Sequence, residues 1–390
     1  MYQVQFLWQR NRIENMTTQM VLPLHWTFAV LGLTLLLTGC TEQSKPIDYD
    51  LAYISRTDAI TRSREAIVHE IQANGGWASW VEATQSFRLD LKRYNQAKPT
   101  LPTKNRLIKG YEGFWVHPAS VRGYSMPIVL RQESPRTIQE SEAVVDSIIG
   151  FNTFLNELGI DLIFVPVPSR VDVYPEHFST AAQRDIHPDP YTKAVMLRLL
   201  EEDIEVVDLY DELISAKKEA GEKLIYYRAD PHPRSIAKDI IALEIASRLM
   251  RYPSVRNGYL GRPIYRTRQL PGPKILEYNI APDDPDALSA CTECGYTEIL
   301  DEHGETLFAK DASRIIITGD SFVFAPLRRV NKQPAAGISL YSHIARAIRM
   351  KSAVICQQAG GPKAPLMVAT SRDYSLEDRD VVVWIMSAYF

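Results

Sequence analysis

The chain has 390 residues and a formal net charge of −3 at pH 7, with 45% hydrophobic and 23% charged residues. A chain of this size and composition buries a full hydrophobic core and needs no disulfide scaffold to fold. Charges of both signs are interspersed without a basic stripe, so the composition argues against a protein that binds nucleic acid.

The first forty residues carry an export signal. Arg10 and Arg12 precede an uncharged apolar stretch, 21–37, which ends in Leu-Thr-Gly-Cys at residues 37–40. A positive start, an apolar stretch and small residues before a cleavage point are the parts of a secretory leader, and the cysteine is what a bacterial lipoprotein signal adds. We predict a signal peptide over 1–39 and a lipid anchor on Cys40. The alternative is one uncleaved transmembrane helix, because about 18 apolar residues just span a bilayer.

The predicted lipid places the protein in the periplasm, attached to a membrane. Thr41, in place of an aspartate, follows Cys40 and favours the outer membrane if the host sorts lipoproteins as enterobacteria do. Residues 40–50 are mainly polar with one proline, which is typical of a tether. Residues 51–138 mix helical patterns, such as 59–73, with Gly, Pro and aromatic residues. We interpret them as an N-terminal subdomain or cap in which no chemistry is recognisable.

From residue 139 onward, short apolar strands alternate with amphipathic helices. Apolar residues recur at helical spacing over 144–158, and Gly159 ends that helix before the apolar run 162–167. The same pattern predicts helices at 194–200, 234–250 and 339–348, and strands at 204–209, 314–318, 353–356 and 381–386. Such alternation predicts an α/β domain over 139–390, with a parallel sheet covered on both faces.

A proline-flanked segment, Asp-Pro-His-Pro at residues 230–233, carries the first candidate catalytic groups. Each proline disfavours helix in the residue before it, so we expect an extended segment with the side chains of Asp230 and His232 on one side. A carboxylate two residues from an imidazole can hold Nδ1–H and leave Nε2 facing a serine, as a Ser-His-Asp triad requires. Pro233 suits the first turn of the helix that follows. The alternative is a turn whose histidine is merely exposed.

Three cysteines follow the leader and its Cys40. Cys291 and Cys294 have the spacing of half a zinc site, but no second Cys-x-x-Cys or His pair completes it, so no metal is predicted. In an oxidising compartment we expect a disulfide between these two, or between one of them and Cys356. Either pairing leaves one thiol unassigned.

A serine stands just beyond the buried strand at 314–318, in the sequence Gly-Asp-Ser-Phe at 319–322. Ligands of open α/β sheets bind at the carboxyl ends of the strands, so Ser321 lies where a nucleophile would be. If a helix begins near Ser321, its free backbone N–H groups favour a developing oxyanion. The alternative is that Asp320 or Ser321 only caps a helix.

Four segments within 140–390 resemble the periplasmic alginate O-acetyltransferases and their SGNH-like relatives in exopolysaccharide acetylation. They are Phe-Val-Pro-Val-Pro-Ser-Arg-Val-Asp-Val-Tyr-Pro at 164–175, Val-Val-Asp-Leu at 206–209 with Tyr-Tyr-Arg-Ala-Asp-Pro-His at 226–232, Gly-Asp-Ser-Phe at 319–322, and Gly-Gly at 360–361 with the strand at 381–384. Common GDSL esterases place the serine first and Asp-x-x-His near the C-terminus. Here Asp-x-His comes first, which is similar to the acetyltransferase branch.

The resemblance implies an SGNH-hydrolase-like three-layer α/β/α fold with a parallel central sheet, preceded by an N-terminal extension. It implies Ser321 as acetyl carrier, His232 as base and Asp230 as its orienting partner, in acetyl transfer to a hydroxyl of an exported polysaccharide. No cofactor is implied, and a membrane-bound O-acyltransferase is the implied source of acetyl groups. An esterase or polysaccharide deacetylase would use the same triad with water as acceptor. From another class, a non-catalytic polysaccharide-binding lipoprotein would need these residues only for structure.

The sequence also departs from the family pattern. Pro233 stands where relatives often have an aromatic residue, and the SGNH asparagine block has no clear match beyond 357–361. The oxyanion donors are therefore assigned to the backbone of Ser321, Gly360 and Gly361. Three further residues are candidates for substrate binding, and each has a structural alternative. Arg170 and Tyr174 either line a pocket mouth or cap a strand end. Arg328 either meets an acidic polysaccharide or belongs to a solvated face.

Overall fold

The structure is a computed structural model that describes residues 53–96, 108–116, 135–182, 187–228, 230–270, 296–305, 307, 312–324, 328–330, 333–356, 363–371 and 375–388. The predicted leader, the lipidation site Cys40 and the predicted pair Cys291 and Cys294 lie outside these residues. None of the helices described is both long and apolar enough to cross a bilayer.

Helices and strands alternate along most of the described chain. Its α-helices are α1 (Arg56–Ala73), α2 (Trp77–Gln96), α3 (Pro135–Glu157), α4 (Arg170–Val173), α5 (Pro190–Glu201), α6 (Tyr210–Ala220), α7 (Ser235–Leu249), α8 (Pro253–Arg256), α9 (Ser321–Phe324), α10 (Leu340–Ile348) and α11 (Ala364–Thr370). Its strands are β1 (Ile108–Lys109), β2 (Trp115–Val116), β3 (Asp161–Val167), β4 (Glu205–Val206), β5 (Arg266–Leu270), β6 (Tyr296–Leu300), β7 (Ile315–Gly319), β8 (Arg328–Val330), β9 (Gln333–Ala335), β10 (Ala353–Cys356) and β11 (Val381–Ser387). Short 3-10 helices occur at Pro175–His177, Tyr259–Gly261 and Ala336–Ile338.

The central sheet has five strands in the order β10-β7-β11-β3-β4, and all of its pairings are parallel. The last strand in the chain, β11, lies at the centre between β7 and β3. The other strands form two-stranded antiparallel ribbons, β1 with β2, β5 with β6 and β8 with β9. Because the five strands are parallel, all of their carboxyl ends lie at one edge of the sheet.

Side chains along each central strand alternate between two apolar clusters, one on each face. In β3, Ile163 and Val165 belong to the cluster that contains α7 and α10, whereas Leu162 and Phe164 belong to the cluster that contains α3 and α5. A strand that is buried on both faces has this alternation because successive side chains point to opposite sides. The predicted three-layer α/β/α fold is confirmed.

The N-terminal helices pack on the same body as the sheet, since residues 44–390 form one compact unit. Helix α1 runs alongside β4: Arg56 donates to the carbonyl of Asp203 before the strand, and Ser63 donates to that of Val206 at its end. The described chain thus begins at the amino edge of the sheet. Helix α3 begins at Pro135, so it crosses the boundary predicted at residue 138.

Candidate active site

A tight connection between β7 and α9 places Ser321 at the carboxyl edge of the sheet. Strand β7 ends at Gly319 and α9 begins at Ser321. A Cβ atom at Gly319 would lie 1.7 Å from the carbonyl oxygen of Ile385 in the neighbouring strand β11, and the residue has φ +148°. Only glycine fits here, because any side chain would collide with the backbone of β11.

Asp320 holds the serine turn to the end of β11. Its Oδ1 accepts a 2.8 Å hydrogen bond from the backbone N–H of Phe322, as an N-terminal helix cap does. Its Oδ2 accepts two more from Ser387, one from the backbone N–H at 3.0 Å and one from the hydroxyl at 2.9 Å. The sequence indicated only the capping half of this role. The half that ties the turn to β11 depends on strand order, which local sequence does not show.

The segment predicted to carry the triad brings its side chains to Ser321. His232 Nδ1 lies 2.5 Å from Asp230 Oδ1, and His232 Nε2 lies 2.9 Å from Ser321 Oγ. The same Asp230 oxygen accepts a 2.9 Å hydrogen bond from the backbone N–H of His232, which fixes the short loop internally. The three predicted catalytic residues therefore form one continuous hydrogen-bonded chain, with the imidazole between carboxylate and hydroxyl.

The two prolines predicted an extended segment, but the chain bends at Asp230, Pro231 and His232 and becomes extended from Pro233 onward. Pro233 pairs with Tyr226 in an antiparallel bridge, and the N–H of Arg234 donates to the carbonyl of Ile225. The prediction that Pro233 occupies the first turn of the next helix is wrong. Helix α7 begins at Ser235 with Arg234 as its N-cap, because the bridge keeps Pro233 in the extended segment.

The electrostatics of Asp230 suit the support of a protonated imidazole. Burial raises the pKa of this carboxyl, but His232, by its charge and its hydrogen bonds, and then the charge of Arg170 lower it, so the net pKa lies below the usual value. Asp230 is therefore ionised at neutral pH. A carboxylate held ionised beside Nδ1 stabilises the imidazolium that forms when the histidine takes a proton from serine.

One of the three predicted oxyanion donors, Ser321, lies within the described part of the chain. The backbone N–H of Ser321 meets no acceptor among the described residues, so it is available to a negatively charged oxygen. The other predicted donors, Gly360 and Gly361, lie outside the described residues. Strand β10 ends shortly before them at Cys356, which is in register with Gly319 of β7.

Two residues predicted to bind substrate are buried. Arg170 is 3% exposed and donates to backbone carbonyls on neighbouring segments, including those of Tyr227 and Asp230. Tyr174 is 4% exposed, and its hydroxyl accepts a 3.0 Å hydrogen bond from the N–H of Ile225. Both side chains are thus buried: Arg170 contacts Tyr227 and Asp230, and Tyr174 contacts Ile225. Neither lies at a pocket mouth, which corrects their predicted role as substrate contacts. Arg328 begins β8, and its side chain lies outside what the structure describes.

The cysteines of the sequence raise the questions of a metal site and of an unassigned thiol. Among the described residues, no group of three or more His, Cys, Asp or Glu could hold a metal ion. Cys356 is a free thiol, and burial raises its pKa well above the usual value, with a smaller contribution from Asp320. A thiol with a raised pKa is a poor nucleophile at neutral pH, so Ser321 is the stronger candidate.

A parallel α/β/α sheet with Ser, His and Asp joined at its carboxyl edge defines a domain of the SGNH-hydrolase-like class. Residues 129–387 match the family model described as "SGNH hydrolase-like domain, acetyltransferase AlgX", and the chain belongs to this family. The predicted resemblance to the alginate O-acetylation proteins is thereby confirmed. No curated protein sequence matches the chain significantly.

Three solved structures are among those to which the chain is similar. The O-acetyltransferase domain of Pseudomonas putida AlgJ is 16% identical, with a TM-score of 0.49 over 73% of this chain and 91% of that one. Pseudomonas aeruginosa AlgX is 15% identical, with a TM-score of 0.48 over 77% of this chain and 67% of that one. Bacillus cereus PatB1 with a sulfonyl adduct is 13% identical, with a TM-score of 0.38 over 63% of this chain and 86% of that one.

Proposed function

We propose that the protein is a serine O-acetyltransferase that moves acetyl groups to hydroxyls of an exported polysaccharide through an acetyl-Ser321 intermediate. The observation that carries the proposal is the imidazole of His232, 2.5 Å from Asp230 and 2.9 Å from Ser321, in a chain of an acetyltransferase family. A merely structural histidine would not need a serine hydroxyl at Nε2 and an ionised carboxylate at Nδ1.

The first half of the reaction loads the serine. His232 Nε2 takes the hydroxyl proton of Ser321 as Oγ attacks the carbonyl carbon of the acetyl donor, and the N–H of Ser321 stabilises the oxyanion. Asp230 stabilises the resulting imidazolium. When the tetrahedral intermediate collapses, the bond to the donor's leaving group breaks and that group takes the proton from His232. Acetyl-Ser321 and neutral His232 remain.

The second half transfers the acetyl group to the acceptor. His232 takes the proton of a sugar hydroxyl, whose oxygen attacks the carbonyl carbon of acetyl-Ser321. The ester bond to Ser321 then breaks, and Oγ recovers the proton from the imidazolium. The product is an O-acetylated sugar, and the enzyme returns to its starting state. With water as acceptor the same steps release acetate, which is the esterase alternative.

The proposed location rests on the sequence alone. The leader ending at Cys40 supports a lipoprotein in the periplasm, with Thr41 favouring the outer membrane. A membrane-bound O-acyltransferase is the proposed supplier of acetyl groups. Labelling with a radioactive fatty acid tests the anchor: the wild type should incorporate label and Cys40→Ala should not. Equal incorporation in both would reject it.

A competition between sugar and water tests the proposed reaction. The protein is incubated with an activated acetyl ester, with and without oligosaccharides of different charge and linkage, and both acetylated sugar and free acetate are measured. We expect the right oligosaccharide to divert acetyl groups from acetate to sugar, and Ser321→Ala to abolish both products. Acetate formation that no sugar reduces would favour an esterase, and failure to consume any acetyl ester would favour a binding protein.

A further inference from the structure

A small hairpin from the N-terminal part of the chain lies directly against the triad segment. Its strands β1 and β2 span residues 108–116, outside the range 129–387 that matches the family model. The N–H of Trp115 donates a 2.8 Å hydrogen bond to the carbonyl of Arg228, two residues before Asp230. The hairpin also contacts the 3-10 helix Pro175–His177, because the N–H of Tyr111 donates to the carbonyl of His177 at 2.7 Å.

One guanidinium joins this hairpin to the triad segment. Nη1 of Arg170 donates to the carbonyls of Tyr227 at 2.7 Å and of Asp230 at 3.0 Å, and Nη2 donates to the carbonyl of Trp115. The side chain is 3% exposed, and its guanidinium carbon lies 5.5 Å from the ring centroid of Phe178. A planar fork of donors can satisfy several fixed carbonyls at once, whereas a lysine ammonium is a single point on a flexible stem.

The sheet fixes the position of Arg170. It is the first residue of α4, which follows β3 at the same carboxyl edge where Ser321 follows β7. Ser169 and Asp172 form a capping box at the start of α4, with the N–H of Ser169 donating to Asp172 at 2.7 Å. The guanidinium therefore extends from a rigid part of the core to a loop that has little regular structure of its own.

We propose that Arg170 is a positioning residue for the catalytic triad. It fixes the backbone at Tyr227 and Asp230 against the 108–116 hairpin, so that Asp230 holds the His232 imidazole at Ser321. This inference rests on the proposed serine mechanism. It assigns a role in the site to a hairpin that lies outside the residues matched by the family model.

Arg170 also acts on Asp230 through its charge, which a residue with only a packing role would not do. The charged and titratable groups that act on Asp230 are His232 on its own segment, Arg170 at the start of α4 and Lys238 in α7. Arg170 helps to keep the pKa of Asp230 below its usual value. Without that cation the pKa of Asp230 lies closer to its usual value, so the carboxylate that supports His232 is lost at higher pH as acid is added.

The test compares Arg170→Met and Arg170→Lys with the control Arg251→Met in the full chain. Arg251 is also a nearly buried arginine, but it pairs with Glu205 of β4, and strands β11 and β3 lie between β4 and the β7 strand that precedes Ser321. For each variant we measure Tm, kcat and KM with an activated acetyl ester, and the pH dependence of kcat/KM.

We expect Arg170→Met to lower kcat by about a hundredfold, the size expected for a displacement near 1 Å, with little change in KM. The acid limb of its pH profile should move to higher pH. Arg170→Lys should bring the acid limb back toward the wild type, because it restores the charge, but should recover only part of kcat. Arg251→Met should lower Tm and leave kcat and the acid limb unchanged.

Two results would overturn the inference. One is a folded Arg170→Met with wild-type kcat and pH profile. The other, decisive if Arg170→Met does not fold, is Arg170→Lys with full kcat, since lysine cannot span the same carbonyls. Ser321→Ala distinguishes a failure of this inference from a failure of the proposed serine mechanism. Turnover that requires Ser321 but not Arg170 rejects only the positioning role of Arg170. Turnover that does not require Ser321 rejects the proposed mechanism.

Discussion

Two pairs of hydrogen-bonded Asp and His side chains occur among the described residues, and one of these two pairs also contacts a serine hydroxyl. In the first, His232 lies between Asp230 and Ser321, and the side chains of the pair are 13% and 14% exposed. In the second, His343 Nδ1 bonds to Asp239 between α10 and α7, and the His343 side chain is fully buried. Among the described residues, its Nε2 has no hydrogen-bond partner.

In the described structure the second pair has no hydrogen-bonded group at Nε2 with which the imidazole could exchange a proton. Arg346 donates to the same oxygen of Asp239 at 2.5 Å, so two partners share that carboxylate. Burial lowers the pKa of His343, with Lys238 and Arg346 acting in the same direction against Asp239. An Asp–His hydrogen bond is therefore not a catalytic signature by itself. What distinguishes the first pair is the position of Nε2 at a serine on the carboxyl edge of the sheet.

The largest expected effect comes from removing the nucleophile or its base. Ser321→Ala, His232→Ala and the double variant should each lose at least about 10⁴-fold in kcat, to a similar residual level, because the two residues act on one proton path and their losses do not add. Rates with an activated acetyl ester and circular dichroism of each variant provide the measurement and the folding control. A double variant much slower than both single ones would mean that the two residues act independently.

Asp230→Asn should have a smaller effect in the same direction. An amide cannot stabilise the imidazolium by charge, but Ser321 and His232 remain, so the loss in kcat should be about tenfold to a hundredfold smaller than that of Ser321→Ala. Steady-state kinetics at neutral pH provide the comparison. An Asp230→Asn variant with wild-type kcat would show that the carboxylate is dispensable and that the first pair resembles the second.

His343→Gln should sharpen the contrast by affecting stability while turnover persists. Loss of the bond to Asp239 and changed packing in a buried site should reduce the free energy of unfolding by about 1–3 kcal/mol, with kcat within about twofold of the wild type. Denaturant unfolding and turnover of the folded variant measure the two effects. Loss of turnover comparable to His232→Ala would place His343 in the catalytic machinery.

The pH dependence of stability gives one more test of the buried pair. Burial lowers the pKa of His343 and lowers that of His187 well below its usual value. The unfolded chain therefore binds more protons than the folded one below about pH 6.5, and stability is lost as pH falls through this range, by up to about 1.4 kcal/mol per pH unit for each histidine. His343→Gln should reduce the slope of the unfolding free energy against pH by as much as the contribution of one bound proton, about 1.4 kcal/mol per pH unit. An unchanged slope would mean that His343 titrates alike in both states.

The sequence predicted the parts of the molecule that local pattern determines. Strand 353–356 has the predicted bounds, and the triad residues lie in short motifs whose prolines and glycine restrict the backbone. The sequence could not show that β11 lies between β7 and β3. Asp320 bonds to Ser387, 67 residues away, only because of that order.

The burial of Arg170 was equally invisible in the sequence. An arginine after a strand at the carboxyl edge is compatible with a pocket mouth or with the core. The hairpin at 108–116 and the carbonyls of Tyr227 and Asp230, all distant in sequence, together surround its guanidinium. Long-range packing, and not residue type, therefore decides between binding and positioning roles.

The central claim is that Ser321 carries the acetyl group, and mass spectrometry of the intact and digested protein tests it most directly. After rapid mixing of the wild type with an activated acetyl ester and acid quenching, the account predicts a burst of leaving group and one added acetyl mass on the peptide that contains Ser321. Ser321→Ala should show neither. Wild-type turnover by a folded Ser321→Ala, or an adduct on another residue that forms and decays at the rate of turnover, would contradict the account.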